Sequence, residues 1–527
     1  MQKAALISVS DRRGLVQFAQ GLEKLGYLLL VTSGTHKALT QAGVPSTLIE
    51  DYTGQKEILG GRVKTLHPRI HAGLLARREH AADMQQLQQD QILPIDVVAV
   101  NLYPFIEGLA SEKVDNPDEM VELVDIGGPT MLRAAAKNFR SVWSVIDPSD
   151  YTAVLHQLEA AGESGALELR RKLAVKVFAS LANYNLQIAK YLCNVKFDES
   201  GAGSVVDSTD DFSLGEVAGH ILIKQQTLRY GENPHQRATY YRDISAGKTV
   251  WQQLNGKELS YNNLLDINAA LQVVWTFSQD KCGAVIVKHL TPCGAALDVS
   301  LQQALIRAKC GDPRSHFGGV IAFNNKVDEH AALEVSKDFT EIVVAPDYTP
   351  EGLDVLRRKA NLRVIQVPVP QEQRFEIRSV DDGVLIQERD QVVFGIAAFE
   401  IVSQRRPTPS ELEDLQLAWS LCLYVKSNAI VFVKDQMLLA AGAGQTSRID
   451  ATEVAVARAR VHNHNLRGAV AASDAFFPFT DCLQLMSEQG ISAVAAPRGA
   501  KRDDEVIETA DRLGICLLFG NRRHFRH

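Results

Sequence analysis

Lys288-His289 is the pair in this chain with the clearest chemical promise. It ends an apolar run, Val285–Val287, and precedes Leu-Thr-Pro-Cys-Gly. At the end of a strand in an α/β domain, a histidine is placed to act as a general base, and a neighbouring lysine to stabilise developing negative charge. The plain alternative is a histidine satisfied at a strand terminus, and the pair alone does not separate the two. Pro292-Cys293 is followed by no second cysteine, so the H-x-E…P-C-x-x-C pattern of zinc deaminases is incomplete.

Four earlier segments carry candidate site residues, the first three suited to an anion. Ser10-Asp11-Arg12 and Thr32-Ser33-Gly34-Thr35 each follow an apolar strand, where hydroxyls, a glycine and free helix N–H groups suit a phosphate. Taken singly, each favours simple N-capping. Gly60-Gly61-Arg62-Val63-Lys64-Thr65-Leu66-His67-Pro68 combines a glycine pair with two cations, a combination that a solvated basic loop does not need. His67 and His71 have the spacing of a zinc helix. Pro68 and the missing glutamate argue against a metal and leave His67 a structural role. Asp125-Ile126-Gly127-Gly128-Pro129-Thr130 opens a helix that carries Arg133 and Lys137 on one face. The Ala134-Ala135-Ala136 run predicts close packing there, hence a desolvated Lys137 able to exchange protons near neutrality; the alternative is an exposed cation on a capped helix.

Three later segments are also dense in function-bearing side chains. They are Arg229–Gln236 (RYGENPHQ), Gly444–Arg448 (GQTSR) and Ser473–Phe479 (SDAFFPF). The last has three aromatics that can clamp a flat heterocycle or simply fill a core. The terminal RRHFRH reads as a frayed tail unless it docks. No P-loop and no G-x-G-x-x-G after a strand is present, which disfavours ATP and NAD chemistry.

These residues need a frame. Ala4–Val9, Tyr27–Val31, Val97–Val100 and Val142–Ile146 read as strands. Gly14–Leu25, His36–Ala42, Pro129–Asn138 and the long Leu167–Leu192 read as helices. The alternation predicts a parallel, doubly wound sheet. Phe197–Gly215 is acidic, rich in Ser and Gly and without helical period, so it reads as a linker. Beyond it the pattern runs twice. AVIVK (Ala284–Lys288), a PCG turn and a helix, Val320–Phe323, a helix and IVVAP (Ile342–Pro346) are matched by AIVFVK (Ala429–Lys434), GAG and a helix, Ala469–Ser473, a helix and SAVAAP (Ser492–Pro497). Two similar α/β subdomains are expected.

Composition sets the bounds. The 527 residues exceed one ordinary domain, and 46% hydrophobic with 23% charged residues is a globular composition. A net charge of −7 argues against a general nucleic-acid binder. Cys193, Cys282, Cys293, Cys310, Cys422, Cys482 and Cys516 form no C-x-x-C pair and read as reduced thiols. Neither a signal-peptide pattern nor a membrane-length apolar run is found, so a cytoplasmic location without membrane contact is expected.

The segments SVSDRRG, GGRVKTLHPRIHAGLLAR, NLYPF, DIGGPTMLRAAAKN, LRYGENPHQ, VKHLTPCG, GAGQTSR, SDAFFPF and RHFRH, in this order, resemble one family across nearly the whole chain. It is the bifunctional purine biosynthesis family, a phosphoribosylaminoimidazolecarboxamide formyltransferase joined to an IMP cyclohydrolase. The resemblance implies a methylglyoxal-synthase-like cyclohydrolase domain over 1–196 and a linker over 197–215. It implies a formyltransferase of two cytidine-deaminase-like α/β subdomains, about 216–375 and 376–527. It further implies a homodimer, 10-formyltetrahydrofolate as co-substrate, and neither a redox cofactor nor a catalytic metal.

Carried over by motif, Ser10, Asp11, Arg12, Ser33, Gly34, Thr35, Arg62, Lys64, Thr65, Asn101, Leu102, Asp125 and Ile126 are implied to line the IMP site, with Lys137 transferring protons. In the formyltransferase, His289 resembles the general base, Lys288 the transition-state stabiliser and Asn428 a further catalytic residue. Arg229, Tyr230, Gly318, Glu341, Arg448, Phe476 and Arg523 resemble nucleotide contacts, although Glu341 stands where some members have Asp. Ile449, Ala500 and Lys501 match folate-contacting positions. The expected chemistry is formylation of the 5-amine of 5-aminoimidazole-4-carboxamide ribonucleotide (AICAR), then closure of the product (FAICAR) to IMP with loss of water. The rival readings are a single-activity member, a non-catalytic nucleotide-binding regulator, and an RNA binder using the basic tail.

Overall fold

The computed structural model describes residues 2–160, 165–199, 201, 203–205, 216–244, 251–368, 375–390 and 395–527. The chain forms two compact units, Met1–Ile223 with Tyr241–Gly247, and Lys224–Tyr240 with Lys248–His527. Among the described residues, no helix is long and apolar enough to cross a membrane.

The first unit is built on five parallel strands, β1 (Ala4–Ser8), β2 (Leu28–Val31), β3 (Thr47–Leu48), β4 (Ile95–Val100) and β5 (Trp143–Val145), in the order β3-β2-β1-β4-β5. The order reverses between β1 and β4, and ligands of open parallel sheets bind at such a crevice. Alternate residues of β1 go to opposite faces, as the period of a strand demands. Ala5 and Ile7 pack with Phe18 and Leu22 of α1 (Leu15–Lys24), whereas Ala4 and Leu6 join a second core.

The remaining helices of the unit are α2 (Ser33–Gln41), α3 (Ile49–Thr53), α4 (Pro68–Leu75), α5 (Ala81–Gln89), α6 (Phe105–Gly108), α7 (Pro117–Val121), α8 (Gly127–Lys137), α9 (Tyr151–Glu159) and α10 (Ala166–Cys193). Ile70 and Leu74 of α4, Met131, Leu132, Ala134, Ala135 and Ala136 of α8 and Val177 of α10 complete the second core. Helix α10 then packs Tyr184 and Tyr191 edge-on to Phe105. The expected linker begins as structure: β6 (Val195–Phe197) pairs antiparallel with β7 (Gly203–Val205), and Val195 and Val205 pack on the Phe105 cluster. Residues 200, 202 and 206–215 of that segment lie outside the described residues.

A two-stranded ribbon, β8 (Leu222–Leu228) and β9 (Ala238–Asp243), carries the loop Arg229–Arg237. The second unit is otherwise ten elements used twice. The first set is β10 (Gln252–Asn255), α11 (Tyr261–Val274), β11 (Cys282–Lys288), β12 (Thr291–Asp298), α12 (Leu301–Gly311), β13 (Val320–Phe323), α13 (Glu329–Lys337), β14 (Ile342–Ala345), α14 (Pro350–Arg357) and β15 (Arg363–Gln366). A small ribbon follows, β16 (Phe375–Val380) with β17 (Gly383–Glu388). The second set is β18 (Glu400–Ile401), α15 (Pro409–Cys422), β19 (Ile430–Lys434), β20 (Met437–Gly442), α16 (Arg448–Val461), β21 (Val470–Ser473), α17 (Asp481–Glu488), β22 (Ala493–Pro497), α18 (Asp503–Leu513) and β23 (Cys516–Gly520). The strands form one sheet, β10-β15-β14-β13-β11-β12-β20-β19-β21-β22-β23-β18, so the two halves lie head to head across β12 and β20.

One sequence expectation is corrected here. Pro292-Cys293-Gly294 is not a turn before a helix but part of β12. The reversal occurs one step earlier, at His289 and Leu290, whose φ values are 52° and 64°. Two successive positive φ angles make the tight hairpin that suits twisted strands. The ladder slips between Ile286 and Val287, opposite Gly294 and Pro292, so the proline sits at a bulge where its missing N–H costs little. Gly294 is required by packing, since a Cβ there would stand 2.1 Å from the carbonyl oxygen of Ala308. The second half repeats the pattern: β20 intervenes between Lys434 and the helix, and Gly442 of the GAG motif ends that strand.

Two candidate active sites

In the first unit, five segments converge at the carboxyl ends of the strands. Ser10 Oγ, after β1, donates to the Leu102 carbonyl after β4 at 3.1 Å. Arg12 reaches the Gly34 carbonyl in the first turn of α2 at 3.4 Å. Lys64 Nζ donates to Tyr103 Oη at 2.8 Å. Thr65 is buried against the start of α8, its Oγ1 2.5 Å from where a Cβ on Gly127 would stand. Asn101 Nδ2 ties the loop after β4 to the Ile146 carbonyl after β5.

Capping does not explain this cluster. Ser33, Gly34 and Thr35 are the first turn of α2 itself. Thr32, before it, caps nothing: its hydroxyl donates to Ser8 Oγ at 3.2 Å. The first-turn N–H groups of α2 are thus left without a side-chain cap and suit an anion, whereas the start of α8 is capped by Asp125. Asp11 is held by Arg13, whose side chain draws the carboxyl below its ordinary value, whereas Arg12 stays with Gly34. Arg62 pairs with Glu122 on the surface.

Asp125 sits over the start of α8. Its Oδ1 accepts the Gly128 N–H at 2.9 Å, and its own N–H donates to Tyr184 Oη at 2.8 Å. Burial pushes the Asp125 carboxyl up, against the opposing pull of nearby N–H groups and of Lys64. Tyr184, whose phenol burial raises to about 12, donates its own hydroxyl hydrogen bond to the Leu123 carbonyl at 3.2 Å. Neither Tyr103 nor Tyr184 stood out in the sequence; Tyr184 lies on α10, 59 residues from Asp125.

Lys137 departs from expectation. The alanines before it are buried, but Lys137 itself is exposed, so it is not desolvated. It ends α8, roughly 15 Å along the axis from Gly127 at 1.5 Å per residue. His67 takes the structural role expected of it, with Nδ1 accepting the Arg69 N–H to cap α4. Among the described residues, no group of three or more His, Cys, Asp or Glu side chains is arranged to hold a metal.

In the second unit, topology does the gathering. β11, β12, β20 and β19 are successively antiparallel, so the carboxyl end of β11 and the amino end of β19 share one end of the sheet. By the same pairing that end also holds the starts of β13 and β14 and the ends of β21, β22 and β23. It thus collects Lys288, His289, Gly318, Glu341, Asn428, Arg448, Ile449, Phe476, Ala500, Lys501 and Arg523, drawn from both halves. His289 and Asn428 stand on strands three places apart, at least ~14 Å at the usual strand spacing. Arg229 and Tyr230 lie on the β8–β9 loop, where the guanidinium covers the Tyr230 ring.

The details sort these residues. Lys288 Nζ donates to the Phe317 carbonyl at 2.9 Å, and His289 is exposed at the hairpin tip. Glu341 Oε1 accepts from Asn263 Nδ2 and Arg363 Nη1, both at 3.3 Å. Arg448 is only 7% exposed. Its guanidinium pairs with Asp474 and donates to Ser473 Oγ and Asn428 Oδ1, each at 2.8 Å, so it holds Asn428 in place.

The aromatic cluster divides. Phe477 is core, Phe476 half-buried, and Phe479 exposed under Arg502. The Ala500 turn is held by Asp503, which accepts the N–H groups of Gly499 and Ala500. The terminal segment is docked. His524 is buried between Trp419 and Asp390, and Arg526 lies over Tyr424 and donates to Gln272 Oε1. Arg523 stays exposed over Phe525.

A family model described as an MGS-like domain matches residues 14–130. One solved structure, titled "Crystal structure of ForH", is 38% identical over a match covering 36% of this chain and 96% of that chain, with a TM-score of 0.33. A second family model, described as the AICARFT/IMPCHase bienzyme, matches residues 135–458, more than half of the chain. The chain therefore belongs to the AICARFT/IMPCHase bienzyme family and is a bifunctional enzyme of purine biosynthesis, both an AICAR formyltransferase and an IMP cyclohydrolase.

Proposed function

We propose that residues 1–196 carry the cyclisation, residues 216–527 the formyl transfer with 10-formyltetrahydrofolate as donor, and that the enzyme works as a cytoplasmic homodimer. The observation that carries this reading is the common sheet end to which one half brings Lys288 and His289 and the other Asn428, distinct from the cluster around Lys64 and Asp125. The donor follows from the formyltransferase membership, the dimer from the family resemblance, and the location from the sequence reading of cysteines and N-terminus.

In formyl transfer the substrate's 5-amine attacks the formyl carbon. Conjugation with the carboxamide-bearing imidazole makes it a poor nucleophile, so His289 removes the amine proton as the new C–N bond forms. Lys288 stabilises the oxyanion. The bond from the formyl carbon to the donor nitrogen then breaks, and that nitrogen takes up the proton. Asn428, fixed by Arg448, orients the substrate.

In cyclisation the carboxamide nitrogen attacks the new formyl group and water leaves. The phosphate rests on the N-terminus of α2, beside Arg12, and Asp125 and Lys64 stand where the amide reacts. Lys137 keeps its proton-transfer role only as an expectation from the resemblance, since Asp125 and Lys64 are the titratable groups gathered at the crevice.

The test is to supply AICAR and 10-formyltetrahydrofolate and follow IMP. His289→Ala is expected to lower formyl transfer at least ~100-fold while cyclisation of supplied FAICAR continues. Turnover near that of the wild type would remove His289 as the base. Lys137→Ala with unchanged cyclisation would remove Lys137.

A further inference from the structure

The hairpin that carries His289 is held from behind by a residue that no motif singled out. Asp266 lies on α11, six positions after its cap, Ser260. Its Oδ1 accepts the Leu290 N–H at 2.8 Å, and its carboxylate also lies against the His289 N–H and within electrostatic range of the imidazole. The clamp matters because His289 and Leu290 both have positive φ, a conformation that residues with a Cβ do not hold unaided.

The second half shows what the same device does without a reacting group. Asp414 lies on α15, six positions after its cap, Thr408. It accepts the Asp435 N–H at 2.8 Å, the Gln436 N–H at 2.6 Å and the Gln436 side-chain amide at 3.0 Å. There the carboxylate is consumed by its own turn. In the first half Leu290 replaces Gln436 and offers no side-chain donor. No side-chain donor of that turn is recorded on Asp266 among the described residues, and His289 and Glu341 are the charged groups within its electrostatic reach.

We propose that Asp266 is a positioning residue for His289 in formyl transfer, fixing the hairpin and supplying the carboxylate that orients the imidazole and stabilises the imidazolium formed when it takes the amine proton. The proposal rests on the reading of His289 as the base. No bond to Asp266 forms or breaks, and the amine proton stays on His289 until the donor nitrogen takes it up. The logic is that of a base oriented by a third group.

The experiment measures kcat and KM of formyl transfer separately for Asp266→Asn, Asp266→Glu and His289→Ala. The Asn variant is expected to lose about 30-fold in kcat with KM for AICAR within about threefold, and the Glu variant, which keeps the charge, to recover most of that loss. A kcat for the Asn variant within about twofold of wild type, or a Glu variant as slow as the Asn one, would overturn the proposal. If His289→Ala kept its turnover, the base assignment would fall instead. Should the Asn variant fail to fold, the wild-type protein supplies a second readout by NMR. A His289 ring N–H shifted downfield by a carboxylate supports the proposal, and an ordinary ring N–H overturns it.

Discussion

The two halves of the second unit share a frame and differ in what they mount on it. Lys288 donates to the Phe317 carbonyl and Lys434, at the matching place, to the Arg467 carbonyl at 2.8 Å. Asn324 after β13 donates its N–H to the Gly283 carbonyl of β11, and Asp474 after β21 to the Ala429 carbonyl just before β19, each at 3.3 Å. Both hairpins turn through two positive φ angles, His289-Leu290 and Asp435-Gln436. Only one of the two, however, ends in an imidazole.

The join between the halves is also one-sided. Ala296 pairs with Met437 near the Asp435 end, but among the described residues the symmetric partners Thr291 and Gly442 do not pair near the His289 end. The halves part where the site residues gather and close where they do not. A cavity of about 340 Å³ does lie at the Asp435 end, lined by Phe277, Leu297, Leu412 and Gln436, but it holds none of the residues assigned to chemistry. Duplication thus supplied two equivalent sheet ends, and the difference between them shows which features are frame and which are site. The Lys288 bond to a carbonyl is frame, since Lys434 repeats it, whereas the His289 imidazole has no counterpart in the second half.

The largest expected effect tests the charged pair that only one half carries. Arg448→Ala leaves Asp474, fully buried, without its cation. Breaking such a pair costs about 3–5 kcal/mol, which for a unit of this size lowers the melting temperature by roughly 5–8 °C. Asn324→Ala, at the place matching Asp474, removes a neutral side chain that bonds Gly283, Ser278 and Lys281 and is expected to cost about 1–3 kcal/mol. Calorimetry on both variants checks the order. Equal losses would mean that the charge adds nothing beyond hydrogen bonding.

A second prediction exchanges the hairpin residues. His289→Asp gives the first turn the residue of the second and is expected to reduce formyl transfer at least ~100-fold with cyclisation intact. Adding Asp435→His should not restore it, because β11 separates the two turns by about 20 Å along the strand direction. Recovery of activity in the double variant would show that the two ends of the sheet are interchangeable.

Much of this comparison was legible in the sequence, and what was not has a physical reason. The repeat was visible because buried strands such as Val285–Val287 and Ile430–Val433 are continuous apolar runs ending in Lys. The β12 strand was missed because Pro292 and Gly294 look like a turn, whereas the turn is made by His289-Leu290, residues without turn propensity that an aspartate holds in place. The anion loops were readable one by one, but not the contacts that join them, such as Lys64 to Tyr103 or Asp125 to Tyr184, which depend on folding distant segments together. The burial expected of Lys137 does not occur, because buried neighbours on a helix do not bury the residue on its outer face.

The smallest effect separates the two clamping aspartates. Burial holds the Asp266 carboxyl above its ordinary value and outweighs the Leu290 N–H and the His289 charge, which pull the other way, while Glu341 adds to the rise. A carboxyl raised in the folded state favours its protonated form. Its contribution to stability is whole below the unfolded value near 3.8 and is lost as pH climbs through the folded value. Asp266→Asn keeps an oxygen for Leu290 and sheds the charge. It is therefore expected to melt about 1–3 °C higher than wild type at pH 7, with the gap closing toward pH 3.5. Asp414→Asn has the opposite sign. Three N–H groups lean on that carboxylate, and an amide turns a donor toward one of them, costing about 1–3 kcal/mol at pH 7. Melting both variants across this pH range decides between the roles. If Asp266→Asn loses stability as Asp414→Asn does, the two carboxylates are the same structural clamp. A gain in stability together with a loss of turnover would mean that the first half keeps a buried charge at the expense of stability because His289 needs it.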